Sequence, residues 1–231
     1  LLFSALNTLE PGARICLSLP ETTSRRAAFL RHIAASGGQG DFALFDGIRQ
    51  IPGWLGAGWS HVLIARAAHA RGVAPLLVCE DDMLPPANFE CRLSRITSYL
   101  DGTEWDIFSG LLSDIHPAAH ISRVERRDGL TFVHLDYCMG MVCNLYGPRA
   151  LAHLARWSPV HTHAETETVD VWLSQMPGLR VVTTLPFLVG HDISATSTVF
   201  GFSNRRYHSL IRSSEKRLAQ MVARFEREGR R

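Results

Sequence analysis

The sequence predicts an α/β fold in which a mostly parallel sheet is flanked by helices. Short apolar runs alternate with stretches of helical period over the first hundred residues. The run at 75–82, PLLVCEDD, is apolar up to its final carboxylates, as expected for a strand that is buried on both faces. A chain of 231 residues is also long enough to bury the core of one large domain.

Local signals place the individual elements along the chain. Strands are predicted at 14–19, 42–48, 75–82, 105–112 and 179–190, and helices at 22–38, 59–72, 86–100, 147–157 and 169–176. Asp128-Gly129 predicts the turn of a hairpin over 120–137, and an apolar run at 139–147 follows it. Ser60 suits the cap of the second helix and Pro148 the first position of a later one.

The end of the chain differs in composition from the rest. Residues 208–231 have apolar side chains at helical spacing and an opposite face rich in arginine. We expect one domain over 1–207, with 208–231 as an amphipathic helix packed on that same domain. Peripheral contact of this helix with anionic lipid is the open alternative.

Composition excludes several classes of protein. With 24 basic and 22 acidic residues, the charge balance gives no support to nucleic-acid binding. No apolar window is long enough for a membrane-spanning helix, and no signal peptide is recognisable. The five cysteines lack CxxC spacing, which indicates reduced thiols. We therefore expect a cytoplasmic protein, with the inner face of the membrane as its alternative location.

The strand at 75–82 ends in three consecutive carboxylates, Glu80, Asp81 and Asp82. In an open α/β sheet, ligands bind in the crevice beyond the carboxyl ends of the strands. Adjacent carboxylates repel one another, so they are usually found with a cation, and oxygen ligands suit Mg²⁺ or Mn²⁺. The alternative is a solvated acidic turn that caps the next helix.

Other polar residues are predicted near the same crevice. Ser18 and Asp46 end the first two strands, and Arg25 and Arg26 follow the first. The arginines suit contacts with a diphosphate, or form a surface pair on the helix. Ser18 and Asp46 suit contacts with a ligand, or have only structural roles. His61, next to Ser60, is a capping or packing residue, or a ligand contact.

Four ordered motifs resemble glycosyltransferase family 25, which includes lipopolysaccharide and collagen galactosyltransferases. They are the pair Arg25-Arg26 after the first strand, the helix start at 58–61 (GWSH), the strand end at 79–82 (CEDD) and the segment at 169–173 (VDVWL). The resemblance extends over roughly residues 14–200.

The motifs depart from the family pattern at three places. Trp59 stands where the family has a cysteine, and Cys79 replaces a leucine before the acidic triplet. The segment at 141–144 (MVCN) lacks the Ala-Tyr pair that the family often carries.

The resemblance implies a GT-A fold and an inverting, metal-dependent transfer of a hexose, galactose or glucose, from a nucleotide sugar. UDP-hexose is the expected donor, and the acceptor is a glycan or glycolipid of surface polysaccharide biosynthesis. Asp82 would hold Mn²⁺ or Mg²⁺, with Asp81 or Glu80 on the ribose or a metal-bound water, and Arg25 or Arg26 would contact the nucleotide.

The same resemblance implies two further roles. Enzymes with a GT-A fold often add a late histidine to the metal site, and His191 follows the last strand. The alternative for His191 is a surface loop residue. The polar segment at 194–204, SATSTVFGFSN, suits a lid over the donor. An inverting transfer also requires a base for the acceptor hydroxyl. Asp170 matches the family aspartate before a short helix, while Asp114 and Asp136 are its rivals.

Three alternative functions remain open. A nucleotidyltransferase would use similar strand-end carboxylates, but its glycine-rich and lysine-containing loop is poorly matched by SLPETTSRR. A catalytically silent domain could bind a glycan or a partner enzyme. The segment 161–170, HTHAETETVD, could instead form the metal cluster of a hydrolase through His161, His163, Glu165, Glu167 and Asp170, or be a polar loop.

Overall fold

The computed structural model describes Leu6 and residues 9–37, 42–160, 163–199, 201 and 203–229. The strands are β1 (Arg14–Ser18), β2 (Phe42–Asp46), β3 (Leu76–Glu80), β4 (Met83–Leu84), β5 (Ile107–Ser109), β6 (Ile121–Arg127), β7 (Leu130–Leu135), β8 (Cys143–Tyr146), β9 (Val181–Leu185) and β10 (Gly190–His191). The helices are α1 (Thr23–Ala35), α2 (Gly53–Ala70), α3 (Phe89–Leu100), α4 (Pro148–Leu154), α5 (Ala164–Glu167), α6 (Val169–Ser174) and α7 (Arg205–Glu228).

Eight strands form one mixed sheet in the order β2-β1-β3-β8-β5-β9-β7-β6. Strands β1, β2 and β3 are parallel, as are β5 and β9, while β8 and β7 run antiparallel to their neighbours. Six of the eight strands therefore point in one direction. This confirms the α/β class and the mostly parallel sheet.

The connections of the first three strands create a topological switch. From β1 the chain crosses through α1 to β2 on one side, and it then returns through α2 to β3 on the other side of β1. Right-handed crossovers in opposite directions place the two helices on opposite faces of the sheet. A crevice therefore opens between the carboxyl ends of β1 and β3, where such sheets bind ligands.

The hairpin is confirmed, with a left-handed turn. Strands β6 and β7 pair antiparallel, and Asp128 and Gly129 both have positive φ, 53° and 77°. This is the backbone that a two-residue hairpin turn requires, and Asp-Gly adopts it readily. Several predicted strands are longer than the observed ones; 105–112, for example, contains only the three residues of β5.

Helix α2 begins at Gly53, six residues before the predicted start, and Ser60 is not its cap. The Ser60 hydroxyl lies inside the helix, where it donates to the carbonyl of Gly56 at 2.7 Å and accepts from the amide of Ile48 at 2.8 Å. Gly58, inside the helix, permits close packing of Trp157, because a Cβ at Gly58 would lie 2.3 Å from the Trp157 ring.

The C-terminal helix α7 packs on the body of the protein. It begins at Arg205, so the predicted boundary at 207 falls inside the helix. Leu218 and Val222 are buried in the same core as the strands, and the helix lies against β6 and β9. None of the described helices is long and apolar enough to cross a membrane.

Candidate active site at the switch point

The carboxylates of Asp81 and Asp82 lie at the crevice between β1 and β3. Both follow the end of β3, and Ser18 ends the neighbouring strand β1. Less than a tenth of the surface of each of these three residues is exposed. Burial excludes the solvated acidic turn that was the alternative at the sequence level.

Asp81 is held by residues of β1 and of the α1 start. Its Oδ2 accepts from the Ser18 hydroxyl at 2.5 Å and from the Thr22 hydroxyl at 3.2 Å, and its Oδ1 pairs with the guanidinium of Arg25. Burial raises the pKa of Asp81 above its usual value, although Arg25 and Ser18 oppose the increase. The carboxylate is therefore fixed in place while its charge is only partly compensated.

Asp82 contacts two residues from the last part of the chain, His191 of β10 and Asn204, which precedes α7. His191 Nε2 lies 3.2 Å from its Oδ2, and the Asn204 side-chain amide donates to that oxygen at 3.1 Å. The short ladder between β4 and β10 pairs Met83 with His191 and thereby brings the histidine here. Burial opposes ionisation of Asp82, but His191, Arg25 and Asn204 together outweigh this effect, and the net pKa of Asp82 is lowered. Burial likewise opposes the charge on His191, whose pKa is nevertheless raised by Asp82.

Arg25 joins the two carboxylates. Its guanidinium pairs with Asp81 and lies 2.9 Å from Asp82 Oδ2, and it donates to the carbonyl of Thr196 at 3.0 Å. Arg26 points the other way, donating to the Ser18 carbonyl at 2.8 Å and to Asp46 at 2.6 Å. Arg25 therefore belongs to the acidic centre, whereas Arg26 and Asp46 support the end of β1.

The residues around Asp82 offer one carboxylate, one imidazole and one side-chain amide as polar groups at the crevice. Among the described residues, three of their buried polar atoms have no hydrogen-bond partner: Asp82 Oδ1, His191 Nδ1 and Asn204 Oδ1. Within the same part of the chain, no group of three or more His, Cys, Asp or Glu side chains could hold a metal. Mg²⁺ and Mn²⁺ commonly use few protein ligands and complete their shell with phosphate oxygens and water.

A cavity of about 430 Å³ opens directly over these carboxylates. This volume is within the usual range for a small-molecule site. One part of the wall is apolar and comes from the ends of β1 and β2 and the start of α2, including Leu17, Ile48 and Trp54. Another part of the lining includes Asp170 and Gly140. The cavity therefore combines an apolar region with an acidic floor.

Glu80 and His61 lie at the edge of the acidic centre. Glu80 lines the cavity, and its Oε1 is 3.8 Å from His61 Nε2. His61 is buried inside α2 and is not among the lining residues described for the cavity. This position supports a packing role for His61.

The structure separates the three candidate bases. Asp170 is half-buried in the first turn of α6, lines the cavity and accepts from the Gly140 amide at 3.3 Å. Asp114 is exposed and pairs with Arg217 at 3.5 Å, and Asp136 is exposed and accepts from the His120 amide at 2.8 Å. Neither is a described lining residue of the cavity, so the arrangement favours Asp170.

The segment at 161–170 does not support the hydrolase alternative. His161 lies outside the described residues, and His163 is exposed just before α5. Glu167 accepts from the amide of Val160, at 3.1 Å, while Asp170 belongs to the cavity wall. Glu167 and Asp170 therefore do not form one cluster. The segment also contains the short helix α5, where a polar loop was the alternative prediction.

Sequence reasoning missed three residues of the site. Asn204 is fully buried beside Asp82, Thr22 bonds to Asp81, and Tyr207 lines the cavity edge-on to His191. Burial raises the pKa of Tyr207 above its usual value. The available signal for Asn204 was its position before an amphipathic helix, which indicates a cap, yet its side chain makes no cap hydrogen bond.

No protein-family model matches the chain, and a search of curated proteins finds no match. The α/β fold with a crevice at its switch point defines a class compatible with nucleotide binding.

Proposed function

We propose that the protein is an inverting, metal-dependent glycosyltransferase with a GT-A-like fold. The observation that carries this proposal is the position of Asp81 and Asp82 at the β1/β3 switch point, under a cavity of about 430 Å³. A nucleotide bound in this crevice would place its diphosphate beside the strand-end carboxylates. The resemblance of the same motifs to glycosyltransferase family 25 supports an inverting transfer of a hexose as the reaction.

The cavity offers a separate place for each part of the donor. The apolar wall near Leu17 and Trp54 would hold the base, and the acidic floor lies where the diphosphate would end. Asp82, His191 and Asn204 would hold Mn²⁺ or Mg²⁺, and Asp81 and Glu80 would contact the ribose or a metal-bound water. When bound, the cation would stabilise the negative charge that develops on the departing phosphate.

Asp170 would act as the base on the acceptor side. Its carboxylate is on the cavity wall, and the Gly140 amide, 3.3 Å from Oδ2, orients it. For an inverting transfer, this carboxylate would take the proton from the acceptor hydroxyl as that oxygen attacks the sugar. The proposed donor is a UDP-hexose, with galactose or glucose transferred to a glycan or glycolipid in surface polysaccharide biosynthesis.

A specific observation also favours a catalytically silent domain. The guanidinium of Arg25 already pairs with both Asp81 and Asp82 and so compensates their charge without a metal. In a silent domain this arrangement would be permanent, and the cavity would bind a glycan or a partner without using a cation.

Donor binding distinguishes the two functions. We would follow thermal unfolding with nucleoside diphosphates and nucleotide sugars, each with and without Mn²⁺, in the wild type and in Asp82→Asn. A ligand that binds only the native state stabilises it by mass action, by about 2.7 kcal/mol when its concentration is a hundred times Kd. The midpoint temperature of unfolding rises as a result. The transferase requires a metal-dependent shift for one nucleotide base, which Asp82→Asn abolishes.

Asp101→Asn is the matched control, because Asp101 is an exposed carboxylate outside the cavity. It should keep the full shift. A shift that is independent of metal, or that persists in Asp82→Asn, would refute the proposed role of the carboxylates.

A further inference from the structure

Two buried cysteines face each other on neighbouring strands of the sheet. The sulfur of Cys79, on β3, lies 3.5 Å from the sulfur of Cys143, on β8, and the two residues are directly opposite in the antiparallel ladder. At most 1% of the surface of either residue is exposed. Both thiols are free. The contact therefore joins two reduced side chains inside the core.

The ladder gives this pair the geometry that a cross-strand disulfide needs. The Glu80 amide donates to the Val142 carbonyl at 2.9 Å, so Glu80 and Val142 form a hydrogen-bonded pair. Because hydrogen-bonded and non-hydrogen-bonded pairs alternate along an antiparallel ladder, Cys79 and Cys143 form a non-hydrogen-bonded pair. Such pairs have Cα atoms about 4.5 Å apart, which is within the range that a disulfide spans. A bond therefore requires the two sulfurs to approach each other by only about 1.5 Å.

The pair is next to residues that line the cavity. Glu80 and Val142 follow it in the ladder, and both belong to the lining. A bond between Cys79 and Cys143 would therefore fasten β3, the strand that leads into the acidic centre, to its neighbour β8.

We propose that Cys79 and Cys143 are a redox-sensitive pair that hydrogen peroxide converts into a disulfide. One thiolate attacks a peroxide oxygen and becomes a sulfenic acid, and the other oxygen leaves as water after taking up a proton. The second sulfur then attacks the sulfenic sulfur and displaces its hydroxyl as a second water. Two thiols and one hydrogen peroxide thus give one disulfide and two waters, and a thiol reductant reverses the change. The modification requires no nucleotide, metal or sugar and so goes beyond the proposed function.

Burial affects the rate of this reaction, and the bond affects stability. Burial raises the pKa of Cys79 well above its usual value, and the contact with Cys143 adds to the increase. Little of the reactive thiolate is then present near neutral pH, so oxidation should be faster at about pH 9 than at about pH 7. The two cysteines are 64 positions apart, so the bond would restrain a long loop of the unfolded chain. It should raise the urea midpoint by roughly 1 M.

Peptide mapping of the oxidised full chain tests this inference. The folded wild type would be treated with hydrogen peroxide at both pH values, alkylated in denaturant and digested. Fragmentation of the linked peptides then identifies which cysteines are joined. We expect a bond between Cys79 and Cys143, faster formation at the higher pH and complete reversal by dithiothreitol. This assignment uses the wild type and so does not depend on the folding of a variant.

Two variants at buried positions on either side of Cys79 provide a matched comparison. Cys143→Ala removes the partner and should abolish both the bond and the rise in the urea midpoint. Cys16→Ala should keep both, although Cys16 of β1 is the other register partner of Cys79. The proposal is overturned if the folded wild type forms no bond between Cys79 and Cys143 at either pH, or if Cys79 bonds to Cys16 instead. It is also overturned if the folded chain and the chain in urea give the same mixture of pairings, because the ladder would then not select the pair.

Discussion

Replacing Arg25 by Met should destabilise the protein strongly, and Mn²⁺ should restore part of the loss. The Arg25 side chain is 16% exposed, while those of its partners Asp81 and Asp82 are 6% and 8% exposed. Removing one partner of a buried ion pair costs about 3–5 kcal/mol. Because Ser18 and His191 keep their bonds to the two carboxylates, we expect about 3 kcal/mol.

Urea unfolding with a chelator, and then with increasing Mn²⁺, measures this effect. A loss of about 3 kcal/mol moves the midpoint by roughly 1 M or more. The cation should stabilise Arg25→Met more than wild type, because the two carboxylates would no longer be compensated by the guanidinium. Arg49→Met is the control: Arg49 also lines the cavity, but its side chain is 60% exposed and pairs with the half-exposed Glu21. Its loss should cost about 0–1 kcal/mol.

The reasoning would be refuted by equal stabilities of the two variants. A large loss in Arg25→Met that Mn²⁺ does not reduce would instead favour the silent domain, in which Arg25 is the permanent counter-ion.

Two further predictions concern packing and pH. Gly58→Ala should lower the free energy of unfolding by about 1–3 kcal/mol in urea, because the added Cβ would meet the Trp157 ring at 2.3 Å. Gly102→Ala is the control: the added Cβ there would meet nothing within 4 Å, so the change should be less than about 0.5 kcal/mol. Equal losses in the two variants would contradict the packing argument. Burial lowers the pKa of His134 below 6.5, so the unfolded chain takes up the proton first and stability should fall below pH 6.5, by at most ~1.4 kcal/mol per pH unit. His134→Gln should flatten this dependence between pH 7.5 and 5.5 relative to the exposed-site variant His69→Gln, and an unchanged slope would contradict that origin.

The core of the site could be predicted from the sequence because local patterns indicate both the strands and the residues at their carboxyl ends. Apolar runs revealed β1 and β3, and the carboxyl ends of parallel strands share one edge, so Ser18, Asp81 and Asp82 could be placed together. The return of His191 was also predicted from its position after the last strand, and the β4/β10 ladder brings it to Asp82.

The remaining features depend on contacts that are distant in sequence. Asn204 reaches Asp82 across 122 positions, and no local pattern encodes that hydrogen bond. The packing of α2 depends on Trp157, which approaches Gly58 from another part of the chain. The choice among Asp170, Asp114 and Asp136 required the cavity, because a local sequence does not show which of the three side chains lines it.

The most direct test of the central claim is to count bound Mn²⁺ by electron paramagnetic resonance of the free ion, in the presence of a nucleoside diphosphate. The account predicts one Mn²⁺ per wild-type chain and a large loss of affinity in both Asp82→Asn and His191→Ala. Equal Mn²⁺ binding by wild type and these two variants, or none by the wild type with any nucleoside diphosphate, would contradict it.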